Sequence, residues 1–206
     1  MNLHLDWCSH EAAKYAVENW HYSRTMPAGK LAKIGVWENN SYIGCVLFGY
    51  GATPNLCKAY GLRQNQLVEL TRVALTKHKH PVSKIVAVAV KMLKRRNPGL
   101  RIIVSFADMG EDHYGVIYQA GNWIYSGAVN LDVWIINGEK IHPRSVVAKY
   151  ETQAKSYIAT IDPTAKKTWG TKHRYLMALD DEMRKQIELL RQPYPKRPKQ
   201  ATSNSN

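Results

Sequence analysis

The chain predicts an α/β fold in which helices flank a mixed sheet. Three observations predict it. Alternating or β-branched runs at 33–37, Ser41–Gly49, Leu67–Leu75 and 102–104 are interleaved with helical patterns at 9–19 and 82–97. That alternation is the mark of strands sharing one sheet with helices on its faces. The segment 100–123, LRIIVSFADMGEDHYGVIYQAGNW, takes a strand into a helix through the small polar corner Ser105-Phe106-Ala107-Asp108. Such handovers at the carboxyl edge of a sheet are where α/β proteins place ligands. Finally, 206 residues with 45% hydrophobic content suffice for one sizeable core.

Each element has a local reason. Ser9 can cap a helix over 9–19, and Ala12, Ala13, Ala16 and Val17 supply its apolar stripe. It ends near Trp20-His21-Tyr22-Ser23-Arg24, and Pro27 prevents continuation. Residues 33–37 and Ser41–Gly49 form a hairpin around Glu38-Asn39-Asn40. A loop with Pro54, Cys57 and Gly61 covers 51–66. Leu67–Leu75 alternates as a strand, 76–81 is the basic connector TKHKHP, and the helix at 82–97 stops at Pro98-Gly99. Residues 113–120 read as a short helix closed by Gly121. Strands follow at 123–129 and 131–137, the second turning at Asn137-Gly138. A short helix or turn covers 144–150, a last strand 173–178 and an amphipathic helix 180–190. From Gln192 the composition is Pro/Lys-rich and then Ser/Asn-rich, which predicts disorder. The expected division is a catalytic domain, 1–180, and a C-terminal helix with a flexible basic tail, 181–206.

No run of about 18 apolar residues exists, so no membrane span is expected. Met1-Asn2-Leu3-His4-Leu5-Asp6-Trp7 lacks the basic-then-apolar order of a signal peptide. Cys8, Cys45 and Cys57 have no framework spacing and no CxxC, so they read as reduced thiols of a cytoplasmic protein. Twenty-nine Lys plus Arg against 16 Asp plus Glu give a net charge of +13. A field of that sign attracts polyanions, with nucleic acid the first candidate. The tail adds Arg184, Lys185, Arg191, Lys196, Arg197 and Lys199, interleaved with prolines. Such an arm either follows phosphates or merely solubilises.

The connector and the following helix start carry Lys77, Lys79 and Lys84 beside His78 and His80. Helix starts bind anions through free N–H groups, so a phosphate-bearing ligand or a plain solvated loop fits here. Arg72 lies within a strand and needs a partner, with Glu69 and Asp108 as candidates. Asp108 either caps a turn or presents a carboxylate at the strand's end to a ligand. His21 is a polar helix end, a base or a metal ligand. Tyr118 is a core tyrosine or a proton donor. Ser105 satisfies a strand edge or donates to an oxyanion. His113 starts a helix or lines a pocket. Tyr22, Tyr114, Tyr118 and Trp123 are the aromatics available to hold a flat ring.

The train from the first helix to Gly115-Val116-Ile117-Tyr118-Gln119-Ala120-Gly121-Asn122-Trp123 is similar to the Gcn5-related N-acetyltransferase (GNAT) fold. More narrowly, four motifs together resemble the phage Mom family: His21-Tyr22-Ser23, Met26-Pro27-x-Gly29-Lys30, Glu69-Leu70-x-Arg72-Val73 and Ser105-Phe106-Ala107-Asp108. The resemblance covers roughly residues 15 to 180. It implies a DNA hypermodification enzyme that places a carbamoylmethyl group on adenine N6 and protects phage DNA from restriction. The resemblance implies catalytic roles for Asp108, His21, Tyr22, Tyr118 and Arg72. It also implies substrate or donor contacts for Ser23, Ser105, His113, Tyr114, Lys77, Lys79 and Lys84. The implied acyl donor is acetyl-CoA or glycyl-tRNA. Iron is a further candidate, with His21, Tyr22 and Asp108 as hard ligands. The implied partners are DNA as acceptor and tRNA as a possible donor, with no membrane. One departure stands out. Where acetyltransferases carry glycines in the pyrophosphate loop, this chain reads His78-Lys79-His80-Pro81-Val82-Ser83, and Pro81 has no N–H to donate. An ordinary N-acyltransferase and a non-catalytic basic nucleic-acid-binding protein are the alternative readings.

Overall fold

The computed structural model describes residues 2–50, 55–141 and 143–197. Residues 51–54 of the expected loop, and the tail beyond Arg197, lie outside them. The chain divides into two compact units. The first comprises Met1–Phe106, Gly115–Gly127 and Arg174–Asn206, and the second Ala107–Tyr114 and Ala128–His173.

In the first unit, β1 (Leu3–Trp7), β2 (Leu31–Glu38), β3 (Ser41–Gly49) and β4 (Leu67–Leu75) pair antiparallel in sequence order. The strand β5 (Ile102–Asp108) then joins parallel to β4. Beyond it come the C-terminal part of β8 (Lys166–Ala178) and the start of β6 (Ile124–Ile136). The β2–β3 hairpin turns through Asn39 (φ 48°) and Asn40 (φ 67°). Both lie in the left-handed region that a tight two-residue hairpin turn requires and asparagine tolerates.

The helix α1 (His10–Trp20) is capped by the Ser9 hydroxyl, which accepts the Ala12 N–H at 3.1 Å. Its small buried residues Ala13, Ala16 and Val17 pack on Cys45, Leu47 and Ala74 of β3 and β4. The helix α2 (Val82–Arg96) buries Ile85, Val86, Ala89 and Leu93. A one-turn α3 (Val116–Gln119) follows β5, and α6 (Asp181–Glu188) packs Met183 and Ile187 onto Leu67, Ile102, Val104 and Leu176.

The second unit pairs the end of β6 with β7 (Glu139–Ile141). It adds α4 (Pro143–Tyr150) and α5 (Lys155–Ile161) over a core of Trp134, Ile136, Val146 and Ile158.

Several elements differ from expectation. β1 is unforeseen because only Leu5 of its five residues is buried, so the apolar alternation is weak. The strands expected at 123–129 and 131–137 are one strand, β6, which passes through Asn130 without a break. The helix expected at 113–120 starts only at Val116, because Gly115 takes φ 71°. A Cβ on Gly115 would strike the Tyr175 ring, which is itself fully buried. α5 and the N-terminal half of β8 lie in polar, largely exposed sequence with no period to read. Residues 192–195, expected to be disordered, are held to the first unit. The Gln192 N–H donates to the Tyr125 carbonyl at 2.8 Å, and the Tyr194 hydroxyl donates to the Trp123 carbonyl at 2.7 Å. None of the three cysteines forms a disulfide. Among the described residues no helix is long and apolar enough to cross a membrane.

Candidate active site at the fork between two parallel strands

The β4–β5 ladder pairs only Leu67–Leu70 with Ile102–Ser105, although β4 runs on to Leu75. The strands therefore fork after Leu70 and Ser105. A fork strips hydrogen bonds from backbone groups that a continued ladder would satisfy. Ser105 repairs one of them. Its hydroxyl, fully buried, donates to the Leu70 carbonyl at 2.9 Å. The Tyr118 hydroxyl lies 2.7 Å from the same oxygen. A carbonyl only accepts, so the Ser105 proton goes to Leu70 and Tyr118 donates to Ser105. Ser105 thus serves the strand edge. Tyr118 is buried between Trp123 and Tyr175, with ring centroids 5.1 and 5.0 Å away. Burial pushes its phenol up to about 12.

A bulge on β4 faces this fork. Leu47 pairs with Arg72 and Phe48 with Leu70, so Thr71 is the extra residue, and its hydroxyl donates to the Leu47 carbonyl at 3.1 Å. On a regular strand, residues three apart point to opposite faces, but an inserted residue brings them to one. Glu69 and Arg72 therefore share a face, and Glu69 acts electrostatically on Arg72. Burial holds the Arg72 guanidinium below its ordinary value, opposed by Tyr22 and Glu69. Tyr22 and Glu69 also raise Tyr118. Tyr22, Glu69, Arg72 and Tyr118 are thus one electrostatic group at the fork. Arg72 donates from Nη1 to the Thr71 carbonyl at 2.7 Å. Its Nε and Nη2 reach the Thr25 carbonyl at 3.4 and 3.3 Å. These bonds tie β4 to the segment after α1 and engage only part of the guanidinium fork.

That segment carries His21, Tyr22 and Ser23. His21 closes α1 by donating its backbone N–H to the Val17 carbonyl. Ser23 donates its own N–H to His21 Nδ1 at 3.1 Å, and its hydroxyl lies 2.8 Å from the same nitrogen. Nδ1 is therefore the acceptor, and neutral His21 carries its proton on Nε2. The Tyr22 ring stacks on His21, centroids 4.3 Å apart, and is 47% exposed. It is an open aromatic surface that acts electrostatically on the half-buried Arg72.

Asp108, His113 and Tyr114 belong to the second unit. The Asp108 carboxylate accepts the Gly110 N–H at 2.9 Å, capping a short turn, and pairs with Lys172 at 3.1 Å. His113 is exposed and donates its backbone N–H to the Asp108 carbonyl. Tyr114 packs on His173, centroids 5.7 Å apart, and burial lowers the His173 pKa.

In the β4–α2 connector, Lys77, Lys79 and Lys84 are all exposed. The backbone N–H of Lys79 reaches both Glu38 carboxylate oxygens, at 3.2 and 3.0 Å. The His80 N–H reaches Glu38 Oε1 at 2.8 Å, and His80 Nδ1 lies 2.7 Å from the same oxygen. These contacts hold Glu38 down to about 2, the His80 N–H contributing most. Neither Glu38 nor Glu69 is among the site residues expected from sequence. The sequence signals Glu69 only as a candidate partner of Arg72 and as part of the Glu69-Leu70-x-Arg72-Val73 motif. Among the described residues no group of three or more His, Cys, Asp or Glu gathers to hold a metal ion.

Solved structures share this architecture. An N-acetyltransferase from Staphylococcus aureus Mu50 matches at 13% identity and TM-score 0.51, covering 87% of this chain and 100% of that one. Arabidopsis thaliana NAA60 in complex with a bisubstrate analogue matches at 10% identity and TM-score 0.53, with the same coverages. The forked mixed sheet is a GNAT N-acetyltransferase fold. Within that class, the chain belongs to the Mom protein family, whose model matches residues 2–196. It is 26% identical over 202 residues to the Methylcarbamoylase mom of Escherichia phage Mu, covering 94% of this chain and 84% of that protein.

Proposed function

We propose that this protein is a transferase that joins a carbamoylmethyl group to N6 of adenine in DNA, and that it thereby shields phage DNA from restriction in the host cytoplasm. The observation that carries the reading is the Tyr22–Glu69–Arg72–Tyr118 group at the fork, in a chain of the Mom family. The phage Mu relative is named a methylcarbamoylase, which supports transfer of a group of this composition. A net charge of +13 supports a polyanionic acceptor.

The chemistry assigns work to these side chains. Adenine N6 is a weak nucleophile because its lone pair is delocalised into the ring. The base must leave the duplex, be held flat and lose an N6 proton as the bond forms. The open Tyr22 ring stacks on the extruded base. Arg72 steadies the polar edge or a flanking phosphate. The ring N–H of His21 donates from Nε2. On the strength of the Mom motif Ser105-Phe106-Ala107-Asp108, Asp108 is the residue assigned the N6 proton. Tyr118, with its own proton committed to Ser105, positions the wall of the fork.

Two donors fit this product to different degrees. Acetyl transfer gives N–CO–CH3, which lacks a nitrogen. Glycyl transfer gives N–CO–CH2–NH2, an isomer of the N–CH2–CO–NH2 product, and needs only a rearrangement. Labelled glycine entering the modified base supports a glycyl-tRNA donor, and an unlabelled product excludes it.

The experiment on the acceptor side uses Asp108→Ala. The reading expects the modification to vanish while DNA affinity stays. Equal loss of both favours a basic DNA-binding protein without catalysis. Acetylation of a small amine by the wild type, with no change in DNA, favours an ordinary N-acyltransferase.

A further inference from the structure

Strand-to-helix turns at the carboxyl edge of a sheet bind phosphates because their N–H groups are left over by both elements. The β4–α2 turn has this construction and bears exposed lysines. Yet its backbone donors converge on a carboxylate of the same chain. Glu38, at the end of β2, receives the Lys79 N–H, the His80 N–H and the His80 ring nitrogen, all within 3.2 Å. It is only 8% exposed. The next residue, Pro81, contributes no N–H. The Lys84 and Ile85 N–H groups donate to the Pro81 carbonyl.

We propose that Glu38 is a resident anion that closes the β4–α2 turn to phosphate, so the acyl carrier is held without a pyrophosphate contact there. A second anion entering the turn would meet a fixed negative charge and find the Lys79 and His80 N–H groups already engaged. Both effects oppose it, and the exposed lysine heads, screened by solvent, offset them poorly. Glu38 is therefore a specificity-determining residue. It selects against carriers gripped by their diphosphate and for carriers recognised elsewhere. The inference rests on the reading of the chain as an acyl-type transferase. Detection of modified adenine in cells tests that reading separately, so the two failures are distinguishable.

The test is equilibrium binding to the full chain of inorganic pyrophosphate, coenzyme A and pantetheine. In the wild type, coenzyme A is expected to bind no more than about twofold better than pantetheine, and pyrophosphate not to compete. In Glu38→Ala the vacated N–H groups accept an anion, and pyrophosphate affinity rises at least about tenfold. Glu38→Gln, which keeps the shape and removes the charge, is expected to fall between. A wild type that binds coenzyme A about tenfold or more better than pantetheine, with pyrophosphate competing, overturns the proposal. So does a folded Glu38→Ala with no gain. If the variants do not fold, the wild-type comparison alone decides.

Discussion

Ser105→Ala should destabilise this protein far more than Tyr118→Phe, although each removes one hydroxyl. Ser105 is fully buried, donates to the Leu70 carbonyl at 2.9 Å and accepts from Tyr118 at 2.7 Å. Its removal orphans a buried carbonyl and a buried phenol at the fork. Each orphaned group costs about 1–3 kcal/mol, so the loss is about 2–6 kcal/mol. Tyr118→Phe keeps the ring packed on Trp123 and Tyr175 and leaves Ser105 bonded to Leu70, costing about 0.5–1.5 kcal/mol. In a chain of this size 1 kcal/mol moves Tm by about 2–4 °C. Ser105→Ala should therefore lose about 4–24 °C, and Tyr118→Phe about 1–6 °C. In the double variant only the carbonyl remains orphaned, so it should be no less stable than Ser105→Ala. Thermal and urea unfolding of the four proteins give the cycle. Equal single losses, or losses that simply add, refute the Tyr118–Ser105–Leu70 relay.

Three further outcomes are expected. Tyr118, raised to about 12 by burial, favours the folded state while protonated; that contribution is complete below the ordinary tyrosine value of about 10 and is lost as pH rises toward 12. Tyr118→Phe should flatten this alkaline limb of unfolding, and the wild-type activity profile should carry no Tyr118 inflection between about pH 6 and 9. Gly115→Ala forces a left-handed backbone onto a side chain whose Cβ strikes Tyr175; a loss of about 2–4 kcal/mol is expected by chemical denaturation. Asp180 caps α6 through the Met183 N–H and pairs with Arg101, whose hydrogen bond holds it at about 2. Its contribution is present above the ordinary carboxylate value of about 4 and is lost as pH falls toward 2. Asp180→Ala should cost about 0.5–2 kcal/mol at neutral pH from the cap alone and remove part of the acid limb.

Strongly periodic elements could be read directly. Ser9 and the alanine stripe define α1, and Pro98-Gly99 ends α2. The Asn39-Asn40 pair marks the hairpin. Elements whose burial is slight escaped, as β1 and α5 show. The site divides in the same way. Arg72, Tyr22 and Tyr118 are conspicuous as polar or aromatic residues in motifs, and Tyr22 acts electrostatically on both Arg72 and Tyr118. The bulge at Thr71 that turns Glu69 onto the Arg72 face leaves no signature in a strand of ordinary alternation. Glu38 was hidden for another reason. It stands at the end of β2, next to a hairpin turn where a glutamate is unremarked, and its partners lie 41 and 42 residues away. Gly115 reads as helix interior until the Tyr175 ring, far along the chain, shows why no Cβ fits.

Nucleoside mass spectrometry of DNA from cells expressing this protein tests the central claim most directly. The account predicts a deoxyadenosine adduct heavier by one carbamoylmethyl group, present with the wild type and absent with Asp108→Ala. Unmodified adenine in cells that hold the folded wild-type protein would contradict it.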